Sequence, residues 1–358
     1  MIVLSLFDGI SCGQLALQRA EIPVDKYYAS EVDEYAIGVT QYNFPNTIQL
    51  GNVLKWKEWN VDWTTIDLVM GGFPCPSFSL SGEQKGFEDP RGQLFFVFND
   101  IVQYVLKNNP NAKFLGENVI MKPKYERVID EALGYKPYCI NSALVSAQNR
   151  QRLYWTNFKI DNPDNREITW MNVKEQINEY YYTEKALQLL ERYYQNKSLY
   201  DSEKICEVLK GYSSKKIFGK IDLPTDTECV AAMRGRYFNS NKTTQFIEFR
   251  HDGKSNALTT VQKDGIVVPF TLPNKIPADM FFYRYKTPIE CERLQTLPDN
   301  YTKYGLINGK KIEISDTQRY RQTGNGWTVD VISHIFKCMK KNEINTDVYK
   351  KVERKKLF

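Results

Sequence analysis

The 358-residue sequence predicts an α/β protein: a large domain on a parallel sheet and a smaller, β-rich domain. Three observations carry this. Short apolar runs alternate with helical segments over the first 160 residues. Beyond them come short aromatic and β-branched segments broken by Gly, Asn and Asp, up to about residue 285. Helical texture then returns at 288–296 and 325–341.

The elements follow in order. Residues 2–7 are an apolar run, as in a strand buried on both faces. Residues 13–20 have helical composition, 26–30 lead strand-like into Glu31, and 33–43 read as a helix ending near Pro45. A strand at 65–70 runs into Gly71-Gly72-Phe73-Pro74-Cys75-Pro76. A helix at 92–108, a strand at 113–116 and a helix at 123–133 follow, then strands at 138–145 and 152–158. Strands separated by helices predict parallel pairing with right-handed crossovers. A further helix is expected at 183–196. The large domain is read as 1–185, completed by 318–358, and the smaller as 186–317.

Composition narrows the classes. With 42% apolar and 25% charged residues the chain is neither disordered nor fibrous. No stretch approaches the roughly 18–20 apolar residues of a membrane span, and Asp8 follows the first strand at once, unlike a signal peptide. A cytoplasmic protein with no membrane partner is expected. Seven cysteines, no C-x-x-C pair and two histidines give no expectation of a metal. The net charge of +5 resides in residues 337–358, with eight basic and three acidic side chains. Between 234 and 263 six basic residues stand against Glu248 and Asp252, which fits either a solvated face or a phosphate-contacting surface.

The residues with chemical potential sit at strand ends. Phe7-Asp8-Gly9 closes the first strand, Glu31 the second, Cys75 follows the strand at 65–70, and Glu117 follows 113–116. Ligands of open α/β sheets bind beyond such carboxyl ends. The loop Phe7-Asp8-Gly9-Ile10-Ser11-Cys12-Gly13 lacks the three glycines of a dinucleotide fingerprint, which suits a nucleoside cofactor without phosphates; a tight turn after a core strand also wants glycine. Glu31, 22 residues after Gly9, suits ribose hydroxyls. Most cysteines are small buried hydrophobes, but Cys75 stands between two prolines that stiffen its loop, as a thiolate nucleophile would.

These motifs, with Glu117-Asn118-Val119, Gln148-Asn149-Arg150-Gln151-Arg152, Glu290-Cys291-Glu292-Arg293-Leu294-Gln295 and Gly324-Asn325-Gly326, resemble the DNA cytosine-5 methyltransferases in type and order, over nearly the whole chain. Asp8 and Trp327 are similar to the animal de novo enzymes, while the plan without regulatory domains looks bacterial or viral. The resemblance implies a Rossmann-like large domain that binds S-adenosylmethionine and releases S-adenosylhomocysteine, with no metal, and a smaller target-recognition domain. It implies double-stranded DNA as partner and a monomer, and leaves a cognate restriction endonuclease open.

By the same resemblance, Cys75 adds to C6 of a flipped cytosine, Glu117 neutralises the ring at N3, and Arg152 with Arg150 fixes the base and supports the loop. Phe7 stacks on adenine, the loop 9–13 (Gly9, Ile10, Ser11, Cys12, Gly13) wraps the methionine part, and Asp8 belongs to the same cofactor site. Glu31 with Val32 takes the ribose; Asn52, Val53, Pro74, Leu94, Asn325, Gly326 and Trp327 complete the pocket. The family usually has Asp where this chain has Asn52, an acceptor without charge. Ser79, Arg234, Arg236, Thr259 and Thr260 are the implied DNA contacts. A transfer-RNA cytosine-5 methyltransferase and a catalytically inactive DNA-binding homologue are the alternatives; the second is weakened because Cys75, Glu117 and Arg152 are all present.

Overall fold

The computed structural model describes residues 1–74, 93–175, 229–237, 243–250, 252–260, 264–269 and 281–341. Cys75, Ser79 and the helix expected at 183–196 lie outside them. The chain divides into two compact units. The first comprises Met1–Ile168, Ala257–Val261 and Cys291–Phe358, the second Thr169–Asn256 and Gln262–Glu290.

A seven-stranded sheet organises the first unit, in the order β3-β2-β1-β4-β5-β8-β6. Strands β1 (Ile2–Leu6), β2 (Lys26–Ser30), β3 (Ile48–Gln49), β4 (Leu68–Gly72) and β5 (Lys113–Val119) are parallel neighbours. Central β1 buries Val3 and Leu4 on opposite faces, as a strand covered on both sides must. Helices α1 (Cys12–Arg19) and α2 (Glu34–Asn43) contribute to one apolar layer, and α3 (Leu94–Asn108) and α4 (Pro123–Leu133) to the other. Local signals set their ends. Asp33 caps α2 by accepting from the backbone N–H groups of Tyr35 and Ala36. Pro123 opens α4 and Gly134, with φ 81°, closes it.

The sheet is mixed, where the sequence predicted parallel pairing throughout. Strand β6 (Tyr138–Asn141) stops sooner than read, and β7 (Gln148–Asn149) and β8 (Gln151–Thr156) follow. Strand β8 runs antiparallel to both β5 and β6. The nine-residue stretch between β6 and β8 contains a short 3₁₀ turn at Ser142–Leu144 but no crossover helix, so the chain reverses direction there.

The second unit holds α5 (Trp170–Val173), capped by Thr169 and Asn172, and a sheet of β9 (Cys229–Tyr237), β10 (Thr243–Phe249), β12 (Asp264–Pro269) and β13 (Phe281–Tyr285) in the order β10-β9-β12-β13. All three pairings are antiparallel. The two-residue strand β11 (Ser255–Asn256), which is not part of that sheet, also belongs to this unit. Residues 291–317, read from the sequence as part of the smaller domain, cluster with the first unit. Helix α6 (Pro288–Leu294) leads into Leu297 and Tyr301, which join the core around Ile10, where the Tyr301 hydroxyl donates to the Ile10 carbonyl at 2.8 Å.

A hairpin of β14 (Tyr304–Ile307) and β15 (Lys310–Glu313) packs on α2. Gly38 makes this approach possible: a Cβ there would stand 2.7 Å from Ile307 Cγ1. The helix expected at 325–341 begins later, as α8 (Val329–Lys341); a separate helix, α7 (Asp316–Asn325), precedes it, with Gly326-Trp327-Thr328 between the two. Among the described residues no helix is long and apolar enough to cross a membrane.

Candidate functional site

Parallel pairing of β1 to β5 brings their carboxyl ends to one edge. In register, Leu6 stands beside Ser30 and Gly71, and Gly72 beside Glu117. The loop after β1 is tightly folded: Phe7, Gly9 and Ser11 all have left-handed φ, at 56°, 58° and 56°. For Phe7 and Ser11 this is costly backbone that the surroundings must enforce. Asp8 does part of that work, accepting from the Ser11 hydroxyl and, at 2.7 Å, from Tyr27. Burial pushes the Asp8 carboxyl up to about 6, with those hydrogen bonds opposing it.

Glu31 ties the loop to the end of β2. Its Oε2 accepts from Gly9 N at 2.8 Å and its Oε1 from the backbone N–H groups of Val32 and Asp33. A carboxylate has further lone pairs, so it can also accept from hydroxyls. Asn52 caps the 3₁₀ turn Val53–Glu58 by accepting from Leu54 N at 3.0 Å. Beside these two acceptors in the chain stand apolar side chains in the open: Val32 is 70% exposed and Leu54 63%. Leu54 escaped the sequence reading; an apolar residue two places beyond a strand-end acceptor is the signal that marks it. A Cβ on Gly9 or Gly51 would meet nothing within 4 Å, so both turns border open space. Ile10, Cys12 and Val53 are buried below the loop, and burial pushes the Cys12 thiol up to about 12, which leaves it without nucleophilic character. Pro74 and Leu94 are half-buried and Asn325 is exposed.

Glu117 is 8% exposed and held from two sides. Arg152 Nε lies 3.2 Å from its Oε1, and the Trp327 indole N–H donates to its Oε2 at 3.0 Å. The antiparallel turn of β8 explains the first contact. Glu117 is opposite Tyr154 and Val119 opposite Arg152, so Glu117 and Arg152 are diagonal neighbours on one face. Gly72 makes room for the second: its Cβ would stand 2.8 Å from Glu117 Oε2 and 2.9 Å from Trp327 Nε1. Gly13 likewise leaves space for Met70 and for the Trp327 ring.

Arg150, grouped with Arg152 from the sequence, is placed differently. It is buried and donates to the carbonyls of Leu258, Gly324 and Gly326, at 3.0, 3.2 and 3.1 Å. Burial, with Arg152 nearby, lowers its pKa to about 9. Its neighbours form a polar network whose roles the motifs did not disclose. Gln148 donates to Leu294 O and Gln295 Oε1 and accepts from Leu258 N. Gln295 donates to the carbonyls of Thr323 and Gly326 and accepts from the Thr328 hydroxyl. Buried Glu292 is neutralised by Arg319 at 3.1 Å and accepts from Asn300 N and Thr302 N. The network holds 257–260 against 322–328, and Thr259 and Thr260 stand exposed on it.

Gly324 is the close point of that packing. A Cβ there would lie 2.5 Å from both C and O of Thr259, main-chain atoms that cannot swing away. Gly324→Ala is therefore expected to destabilise the protein by about 2 kcal/mol, as overpacking does. A urea midpoint equal to that of the parent would show that the backbone yields without cost.

Comparison with known proteins gives a consistent result. The family model of the C-5 cytosine-specific DNA methylases matches residues 1–341. The type II methyltransferase M.NlaX of Neisseria lactamica is 30% identical, covering 94% of this chain and 96% of its own length. The type II methyltransferase M1.ScrFI of Lactococcus lactis subsp. cremoris is 26% identical, over 94% and 77%. Among solved structures, the Entamoeba histolytica methyltransferase EhMeth aligns with a TM-score of 0.58 at 18% identity, over 95% of this chain and 98% of that one. The Dnmt2 methyltransferase of S. pombe aligns at 0.54 and 16% identity, over 95% and 98%. At these identities the structural matches speak for the fold, a Rossmann-like α/β sheet, while the family match covers all but the last 17 residues. The chain belongs to the C-5 cytosine-specific DNA methylase family.

Proposed function

We propose that the protein is an active DNA cytosine-5 methyltransferase that takes its target cytosine out of the duplex and uses Cys75 as nucleophile. The observation that carries this reading is the clamp of Arg152 and Trp327 on Glu117, at the same sheet edge as the Gly9 loop and Glu31. A buried carboxylate gripped by a guanidinium and an indole is prepared to meet a ring nitrogen and an exocyclic group together.

The residues divide the work. The Cys75 thiolate adds to C6 of the flipped base, which makes C5 nucleophilic. Glu117 faces N3 and supplies the proton that offsets the charge pushed into the ring. Arg152 carries a fixed planar donor set suited to O2 of the base. Arg150 acts as a positioning residue, since it binds the main chain on which Leu258 and Gly326 stand. Once C5 has been methylated, its proton departs to a base, and Cys75 leaves as thiolate, restoring the aromatic ring.

The cofactor-side residues suit S-adenosylmethionine, which supplies an electrophilic methyl group when bound. Open space at Gly9 and Gly51, the spare acceptor capacity of Glu31 and the exposed apolar Val32 and Leu54 fit a nucleoside better than a pyrophosphate. Phe7 and Trp327, both half-buried, add apolar surface. Asn52 offers the adenine amino group an uncharged acceptor. Asn52→Asp preserves the cap to Leu54, so its effect reports on the cofactor. Tighter binding of S-adenosylmethionine is expected by calorimetric titration, and unchanged affinity would refute the role.

Arg234 and Arg236 stand two residues apart in the sequence of β9, and arginine is the commonest specific partner of guanine. With Ser79, Thr259 and Thr260 they are the proposed DNA contacts, and binding should weaken steeply with salt. The decisive test is incorporation of labelled methyl groups into duplex DNA and into transfer RNA, side by side. Label in DNA is expected. Label in transfer RNA alone would transfer the activity to the RNA branch, and label in neither would mark an inactive homologue. Bisulfite sequencing of DNA from a producing host then reads the recognition site.

A further inference from the structure

We propose that Asp161, His334 and Cys338 form a binding site for one zinc-class divalent metal ion. None of the three takes part in the chemistry described above, and all lie in the first unit. His334 and Cys338 stand four residues apart on α8, so their side chains share one face of the helix. Asp161 lies in the segment after β8 and meets them there.

The distances suit a shared ion. His334 Nε2 is 3.0 Å from Asp161 Oδ1, Cys338 Sγ is 2.8 Å from the same oxygen, and Sγ and Nε2 are 3.5 Å apart. Tetrahedral zinc with bonds of about 2.0–2.3 Å separates its ligand atoms by roughly 3.3–3.7 Å. The sulfur–nitrogen spacing is already in that range. The carboxylate has to withdraw by less than about 1 Å, and its side chain, 81% exposed, has room to do so. Without an ion the same atoms hydrogen-bond: the thiol donates to Asp161 Oδ1, and His334 Nε2 also lies 2.9 Å from the Asp161 main-chain carbonyl, contacts that a bound ion would replace.

Donor chemistry points the same way. One thiolate, one imidazole and one carboxylate are the donors zinc accepts, and three protein ligands leave the fourth position to water. The sulfur is buried and the carboxylate exposed, so the ion would enter from the Asp161 side. On binding, the Cys338 S–H bond breaks, its proton passes to solvent, and the sulfur lone pair bonds the ion, with no change of oxidation state. The imidazole binds through Nε2 and keeps its proton on Nδ1. The ion would fasten α8 to the chain leaving β8. Sequence reasoning passed over the site because His-x₃-Cys on a helix, with its third ligand 173 residues away, has no compact motif.

The test uses full-length protein without a histidine tag, stripped of metal by a chelator and titrated with cobalt(II) as a spectroscopic stand-in for zinc. One cobalt per chain is expected, with a thiolate-to-cobalt charge-transfer band that added zinc abolishes. Cys338→Ala should remove the band. Asp161→Asn, at an exposed side chain, and His334→Ala should each weaken affinity by about tenfold or more, while Cys139→Ala should leave it intact. Absence of the band from the parent, its persistence in Cys338→Ala, or unchanged affinity in both Asp161→Asn and His334→Ala overturns the proposal.

Discussion

Cys75→Ser is expected to abolish methyl incorporation into duplex DNA while leaving the fold and cofactor affinity unchanged. The reason lies in the electrons. C5 of cytosine is a poor nucleophile until a group has added at C6. A thiol is a few per cent ionised at neutral pH and intrinsically reactive, whereas a serine hydroxyl needs an adjacent base to become a nucleophile. Among the described residues the strand-end carboxyl groups at that edge are Glu117, already engaged by Arg152 and Trp327, Glu31, engaged by the main chain, and Asp8, engaged by the Ser11 and Tyr27 hydroxyls. None stands ready to ionise a serine. A residual rate within about tenfold of the parent, a barrier difference under roughly 1.4 kcal/mol, would end the assignment. The covalent step has its own readout. Duplex DNA bearing 5-fluorocytosine at the target should trap the parent enzyme, because fluorine cannot depart as a proton does. The adduct should survive denaturing electrophoresis and be absent for Cys75→Ser.

Glu117→Gln should lower kcat by roughly 10²–10³-fold, within the range of general acid–base contributions, with a much smaller change in DNA affinity. Glutamine preserves the volume, and its carbonyl oxygen can still accept from the Trp327 indole. Its amide group then faces the Arg152 guanidinium, donor against donor, so the base-facing side of the clamp loosens. The substituted side chain can donate a hydrogen bond to N3 but cannot transfer a proton there. Single-turnover rates with preformed enzyme–DNA complex separate this effect from binding. A kcat within about threefold of the parent, or a loss confined to DNA affinity, would remove Glu117 from the chemistry.

Much of this was legible in the chain. The apolar run 2–7, the loop from Phe7 to Gly13 and Glu31 at the next strand end specify a parallel sheet edge and what decorates it, because strand period and turn chemistry are local properties. The ordered motifs pointed to the family, which the match over residues 1–341 then established. Other parts were less accessible. The hairpin at 304–313 was not read, since its support is the contact with Gly38 on α2, far away in sequence. Asp316–Asn325 was not read as a helix because its composition is strongly polar. Its buried Arg319 is compensated by Glu292, a partner 27 residues earlier.

The sequence by itself determined the alternation of strands and helices through α4 and the sheet edge at which the Gly9 loop, Glu31 and Glu117 gather. Tertiary structure decided how those groups are held. Only the reversal of β8 shows that Arg152 is the diagonal neighbour of Glu117, while Arg150, two residues away, is buried on main-chain carbonyls. Only the break between α7 and α8 brings the Trp327 indole onto Glu117 from 210 residues along the chain. The physical reason is one of range. Propensity and periodicity act within a few residues, whereas a clamp is made by strand direction, by the space a glycine leaves and by hydrogen bonds between distant segments.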